Sequence, residues 1–119
     1  MSAESDFQFL LQTHAPLMAL VSDRIAMAAQ ATPTLPAVVY LSRHDPVYGL
    51  GNQLLADPVT FTVQCWAETA AVAASVADAV RSACAAAQLQ RGCVVAAEEP
   101  AYDEETGLDG RILSVEWWP

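Results

Sequence analysis

Lysine is absent from this chain. Its basic residues are Arg24, Arg43, Arg81, Arg91 and Arg111, set against fourteen Asp and Glu, which gives a formal charge of -9 over 119 residues. A surface that grips nucleic acid clusters Lys and Arg to neutralise phosphates, and one that lies on anionic lipid does the same, so neither is an expected partner class. Long apolar runs are missing too. The Ala-rich stretch from Ala70 to Ala87 is broken by Ser75, Asp78, Arg81 and Ser82, whereas a membrane-spanning helix needs roughly 20 apolar residues. Cysteine is scarce and odd in number: Cys65, Cys84 and Cys93 contain no CxxC pair, which fits neither a disulfide framework nor a zinc site and predicts buried free thiols. The five glycines are scattered through turns, so there is no phosphate-cradling loop and no nucleophile elbow. Met1 to Asp6 carries Glu4 and Asp6 where a secretory signal would have a basic flank; synthesis in the cytoplasm is expected.

What is present is apolar. The chain is 54% hydrophobic, a composition that folds, and its length suits one domain spanning residues 1–119. Much of that content is Ala, which buries little area, so the larger side chains must supply most of the packing energy. Phe7, Leu10 and Leu11 recur at helical spacing between Ser5 and Thr13, and Pro16 restarts the chain for a second short helix through Leu17, Met18, Leu20 and Val21. Residues 26–35 read as a connector held extended by Pro33 and Pro36. Ala37 to Arg43 reads as a strand, and His44 to Pro58, with two glycines and two prolines, as a long surface loop. In Val59 to Trp66 the residues Val59, Phe61, Val63 and Cys65 point one way and Thr60, Thr62, Gln64 and Trp66 the other, the clearest strand signal in the chain.

Thr69 is placed to cap a helix running to about Ala87, with Val72, Val76, Val80, Ala83, Cys84 and Ala87 as its apolar stripe. Cys93–Ala97 and Ile112–Trp118 read as two further strands. Between them lies the acidic stretch Glu98–Gly110, in which Thr106-Gly107 and Asp109-Gly110 are turn signals. The predicted fold is therefore α+β, in the order α-α-β-β-α-β-β. A four-stranded, mainly antiparallel sheet carries the N-terminal helices and the long Ala-rich helix on one face. Leu113, Val115 and Trp117 are expected to face the helices.

No residues are arranged for catalysis. His44-Asp45 lacks a neighbouring nucleophile, His14 reads as a helix-end residue, and Cys65 and Cys84 lie on apolar faces that blunt a thiol. The acidic run Asp103, Glu104, Glu105 and Asp109, with Glu98 and Glu99, does not follow the spacing of a calcium-binding loop and reads as a solvated hairpin. No catalytic, cofactor or metal residue is assigned, and no cofactor is expected. Consecutive Trp117 and Trp118 on one strand put an indole on each sheet face. Trp118 and Trp66 are thus either flat on an exposed face or anchors in a subunit contact.

The order of several phrases resembles a known family. They are Leu17-Met18-Ala19-Leu20-Val21-Ser22-Asp23-Arg24-Ile25, Leu35-Pro36-Ala37-Val38-Val39-Tyr40, Val63-Gln64-Cys65-Trp66-Ala67 before the Ala-rich helix, Tyr102-Asp103, and Val115-Glu116-Trp117. Together they are similar to the tail-completion, or tail-terminator, proteins that join head to tail in long-tailed bacteriophages. The resemblance implies a non-enzymatic structural protein of the virion, assembled in the host cytoplasm as a ring, typically of six subunits. The ring would end the tail tube at its head-proximal end and meet tail-tube and head-connector proteins, with DNA passing through its lumen without specific binding and with no membrane partner. On this reading Trp66, Trp118, Glu98, Glu99, Asp103, Glu104, Glu105 and Asp109 are the candidate interface or lumen residues. The His44–Pro58 loop and the acidic hairpin would reach neighbours or the channel. The lack of lysine departs from the expected surface. The alternative reading is a small-molecule or peptide binding module using the exposed sheet face.

Overall fold

Alternation in Val59–Ala67 dictates the centre of the molecule. In the computed structural model, which describes residues 3–21, 24–27, 36–56, 58–87, 92–105 and 107–118, every odd residue of this strand is buried and every even one half-buried. The elements in chain order are α1 (Ala3–Thr13), α2 (Ala15–Val21), β1 (Ile25–Met27), β2 (Ala37–His44), β3 (Val47–Tyr48), β4 (Leu54–Ala56), β5 (Val59–Ala67), α3 (Ala70–Ala87), β6 (Gly92–Asp103) and β7 (Leu108–Trp118). Strands β2, β5, β7 and β6 form the four-stranded antiparallel sheet that the sequence predicts, and the structure gives their order across it, with β5 beside β7. All three helices lie against one face, which also receives Leu113, Val115 and Trp117, each buried.

Three local features go beyond the sequence reading. Ile25–Met27, whose last two residues read in the sequence as the start of a connector, forms the short strand β1 and pairs parallel with β2 through Ile25↔Val38 and Met27↔Tyr40; the rest of that connector, 28–35, lies outside the described residues. Arg24 fixes this junction: its Nε donates to the Pro36 carbonyl at 2.8 Å and its Nη2 to the Leu20 carbonyl at 3.4 Å, placing a cation on the C-terminal end of α2. The His44–Pro58 loop contains the hairpin β3–β4, closed by Gly49 N–H to Gln53 C=O at 2.8 Å, with Asn52 in the left-handed region at φ 62°. And most of the Glu98–Gly110 stretch is strand rather than turn, because β6 and β7 stay paired out to Asp103↔Leu108. Gly107, at φ 72°, makes the turn as expected. Asp109-Gly110 does not; it lies inside β7.

Helix α3 is capped as predicted, with the Val72 N–H bonded to Thr69 Oγ1 at 3.3 Å. Its buried residues are Ala73, Val76, Ala77, Ala79, Val80, Ala83 and Cys84; the side chain of Ala87, also expected on the stripe, lies outside the described residues. Val72, expected on that stripe, is 37% exposed. In the first turn the small Ala73 meets the sheet, and the stripe begins one residue later than hydrophobicity alone suggests. The core is completed by an aromatic cluster. Phe7 stacks on Phe61 with centroids 4.1 Å apart and meets Tyr40 and Trp117 edge-on, geometries favoured by the ring quadrupoles.

Candidate functional site

Strand register sorts the side chains onto two faces, and it does so unequally along β6. Cross-strand partners share a face. Cys93↔Trp117 and Val95↔Val115 put odd residues of β6 inward, but an irregularity between Val95 and Ala97 inserts Ala96, and beyond it Glu98↔Leu113 puts even residues inward. This bulge delivers Glu98 to the helix side. There its Oε2 receives a hydrogen bond from Arg111 Nη1 at 3.3 Å, and its Oε1 faces Arg81 Nε of α3 at 3.3 Å as an ion pair rather than an aligned hydrogen bond. Arg81 also pairs with Asp78. Two of the chain's five arginines thus neutralise this carboxylate within the same chain.

The remaining candidate carboxylates lie outward or at the tip. Glu99, Glu104 and Glu105 are exposed, and Asp103 and Asp109 half-buried. Asp103 organises the turn: its carboxylate accepts from the Glu105 N–H at 3.0 Å and its carbonyl from the Gly107 N–H at 2.8 Å.

Trp66 sits half-buried on the face away from the helices, its Nε1 bonded to Gln64 Oε1 at 3.2 Å. Its cross-strand partner is Gly110, and a Cβ there would lie 2.6 Å from Trp66 Cε3. The glycine read as a turn signal is there to let the indole lie down. Trp118 ends β7, paired with Gly92; its side chain lies outside the described residues.

At the opposite end of the inner face, Ser42 Oγ and His44 Nε2 both donate to Glu4 Oε1, at 3.0 and 2.5 Å. Asp45, next to His44 in the sequence, pairs with exposed Arg43 at 3.3 Å. The bond to His44 comes first among the influences that hold the Glu4 carboxyl below its usual range. Because Glu4 stands between Ser42 and His44, the trio ties α1 to β2 and does not form a nucleophile–base relay. All three cysteines are free and buried. Burial, with the Glu98 charge adding to it, pushes the Cys65 thiol up to about 12. The Cys84 thiol is pushed up by its hydrogen bond to Cys93 and by burial. Those two thiols are poor nucleophiles; the Cys93 thiol is held below its usual value by the hydrogen bond to Cys84, against burial.

A family model described as tail completion protein gp17 matches residues 8–119. The chain belongs to that family. It is a structural protein of a phage-type tail, as the resemblance implied. Among solved structures it is similar to a chain from the virion of a native gene transfer agent particle, with a TM-score of 0.78 and 16% identity, covering 98% of this chain and 93% of that one. That likeness shows the fold. No curated protein matches the sequence. Among the described residues no helix is long and apolar enough to cross a membrane, and no group of His, Cys, Asp and Glu is gathered to hold a metal ion.

Proposed function

We propose that this tail completion protein closes into a ring of identical subunits at the head-proximal end of the tail tube, ends the tube there and joins it to the head through connector proteins. Assembly takes place in the host cytoplasm. The observation that carries the reading, beyond family membership, is the distribution of charge. Glu98 is satisfied by Arg81 and Arg111, whereas Glu99, Glu104 and Glu105 stand exposed on the long β6–β7 hairpin. A ring that lines its channel with such carboxylates lets DNA pass, because they repel phosphates instead of binding them. Asp103 and Asp109, at the same tip, add to that field.

The test is to incubate purified protein with tail tubes and image the ends by electron microscopy. A ring of density capping one end of each tube is expected. Bare tubes at saturating protein would overturn the reading.

A further inference from the structure

Two surfaces of this chain stand apart from its acidity. The first is the β3–β4 arm. Every residue from Pro46 to Ala56 is uncharged in a chain of net charge -9. Val47, Tyr48, Leu50 and Leu54 on it are all exposed. The two strands pack on each other and have no substantial contact with any other element; Val47, Tyr48 and Leu54 keep about half of their surface exposed and Leu50 all of it. Single exposed apolar residues are ordinary; four on one projecting hairpin mark a contact surface.

The second is the sheet face opposite the helices. Reading across β2, β5, β7 and β6, its rows are Ala37–Trp66–Gly110–Ala101, Val39–Gln64–Ile112–Glu99, Leu41–Thr62–Ser114–Ala97 and Arg43–Thr60–Glu116–Val94. Within these rows charges enter only at Glu99, Glu116 and Arg43, with Asp103 on the same face beyond them at the hairpin tip. Ala37 and Val39 at the β2 end are buried, but no element of the described chain packs on the central rows around Thr62 and Ser114. Leu41 and Val94 lie exposed on this face.

Both sheet edges, by contrast, are unsuited to receiving a strand. Edge strand β1 has 3 residues, and β6 carries the Ala96 bulge, Pro100 and a run of acidic side chains, the devices that blunt an edge against strand addition. An arm seeking a neighbour would therefore meet a face through its side chains.

We infer that the β3–β4 arm of one copy lies on the uncovered sheet face of the next copy, so that Val47, Tyr48, Leu50 and Leu54 cover its central rows around Thr62 and Ser114. The partner is a second copy of this chain, chosen by charge: acidic copies repel wherever their carboxylates meet, and these are the two surfaces that approach without that repulsion. The two patches differ, so the contact is heterologous and repeats head to tail, as ring closure requires. This inference rests on the ring reading and specifies its interface.

The test uses the full chain with Leu50→Cys mixed with full chain carrying Thr62→Cys, Gln64→Cys or Ser114→Cys, under mild oxidation. The native thiols are buried, and the single variants control for any crosslink they form. A covalent dimer is expected in at least one mixture and in none of the single variants. In parallel, a variant with Ser at positions 47, 48, 50 and 54 is expected to require at least tenfold more protein to assemble, with unchanged thermal unfolding. An unmodified chain that assembles while every mixture stays uncrosslinked, or while the serine variant assembles as well as its parent, overturns the arm contact and leaves the ring standing. A chain that stays monomeric overturns both.

Discussion

Glu4 gains its low pKa from partners that exist only in the fold. The bond from His44 is the main cause, with the Ser42 hydroxyl adding to it and burial opposing it. A carboxyl whose folded pKa is depressed contributes stability that is fully present above its unfolded value and is lost as pH falls through the folded one. Stability is thus expected to decline below pH 4.5, the ordinary value of this group. Glu4→Gln should be less stable at neutral pH and lose less on acidification, which urea unfolding at pH 7 and pH 3.5 checks; equal acid losses in both proteins would remove Glu4 from the account. Gly110 is as specific. Gly110→Ala would push a Cβ to 2.6 Å from Trp66 Cε3 and 3.1 Å from the Cys65 carbonyl, so the indole must leave the face. A cost of about 1–3 kcal/mol and a red shift of tryptophan emission are expected.

Among the elements, α3 gives the sharpest contrast. Val76 is fully buried while Val72 keeps 37% of its surface exposed, one turn apart on the same helix. Val76→Asp should cost on the order of 3 kcal/mol or more and lower the melting temperature by about 10 °C or more, whereas Val72→Asp should stay within about 0.5 kcal/mol. Equal effects would refute the docking of the helix. Period and alternation were enough to read α3, β5 and the inward set of β7, because these elements sit wholly between solvent and core and each position has one environment. The register of β6 was not legible. Ala96 and Ala97 are both small and apolar, so nothing in the sequence marks where the extra residue sits, and the inward turn of Glu98 follows from that residue alone. Strand β1 was equally hidden, since its 3 residues are specified by parallel pairing to β2 and by the Arg24 clamp. Of the candidate assembly residues, Trp66 was placed on the outer face by alternation, but its bed on Gly110 needed the cross-strand register. Deleting Ala96 should straighten β6 while leaving Glu98 opposite Leu113. The fold is expected to survive by circular dichroism, with increased light scattering as the edge becomes able to pair; loss of the fold would mean that the bulge is needed for pairing itself.

For the whole molecule, the proposed ring sets charge, which would oppose assembly, against apolar contact, which would favour it. Each copy brings a formal charge of -9, and closing several into a ring gathers that charge around one axis. Screening acts over about 10 Å at 0.1 M salt, the scale of a subunit contact, so added salt should strengthen the ring even as it weakens the Arg43–Asp45 pair on the surface. Replacing Glu99, Glu104 and Glu105 with Lys should leave the fold intact and create DNA retention in a mobility-shift assay in which the parent is expected to show none; no retention in assembled variant rings would place these residues away from the channel. The most direct measurement is sedimentation of the unmodified chain over a series of protein and salt concentrations, with and without its tail tube. A single closed oligomer whose population grows with both concentrations is expected. A strict monomer under every condition, tail tube included, would contradict the ring.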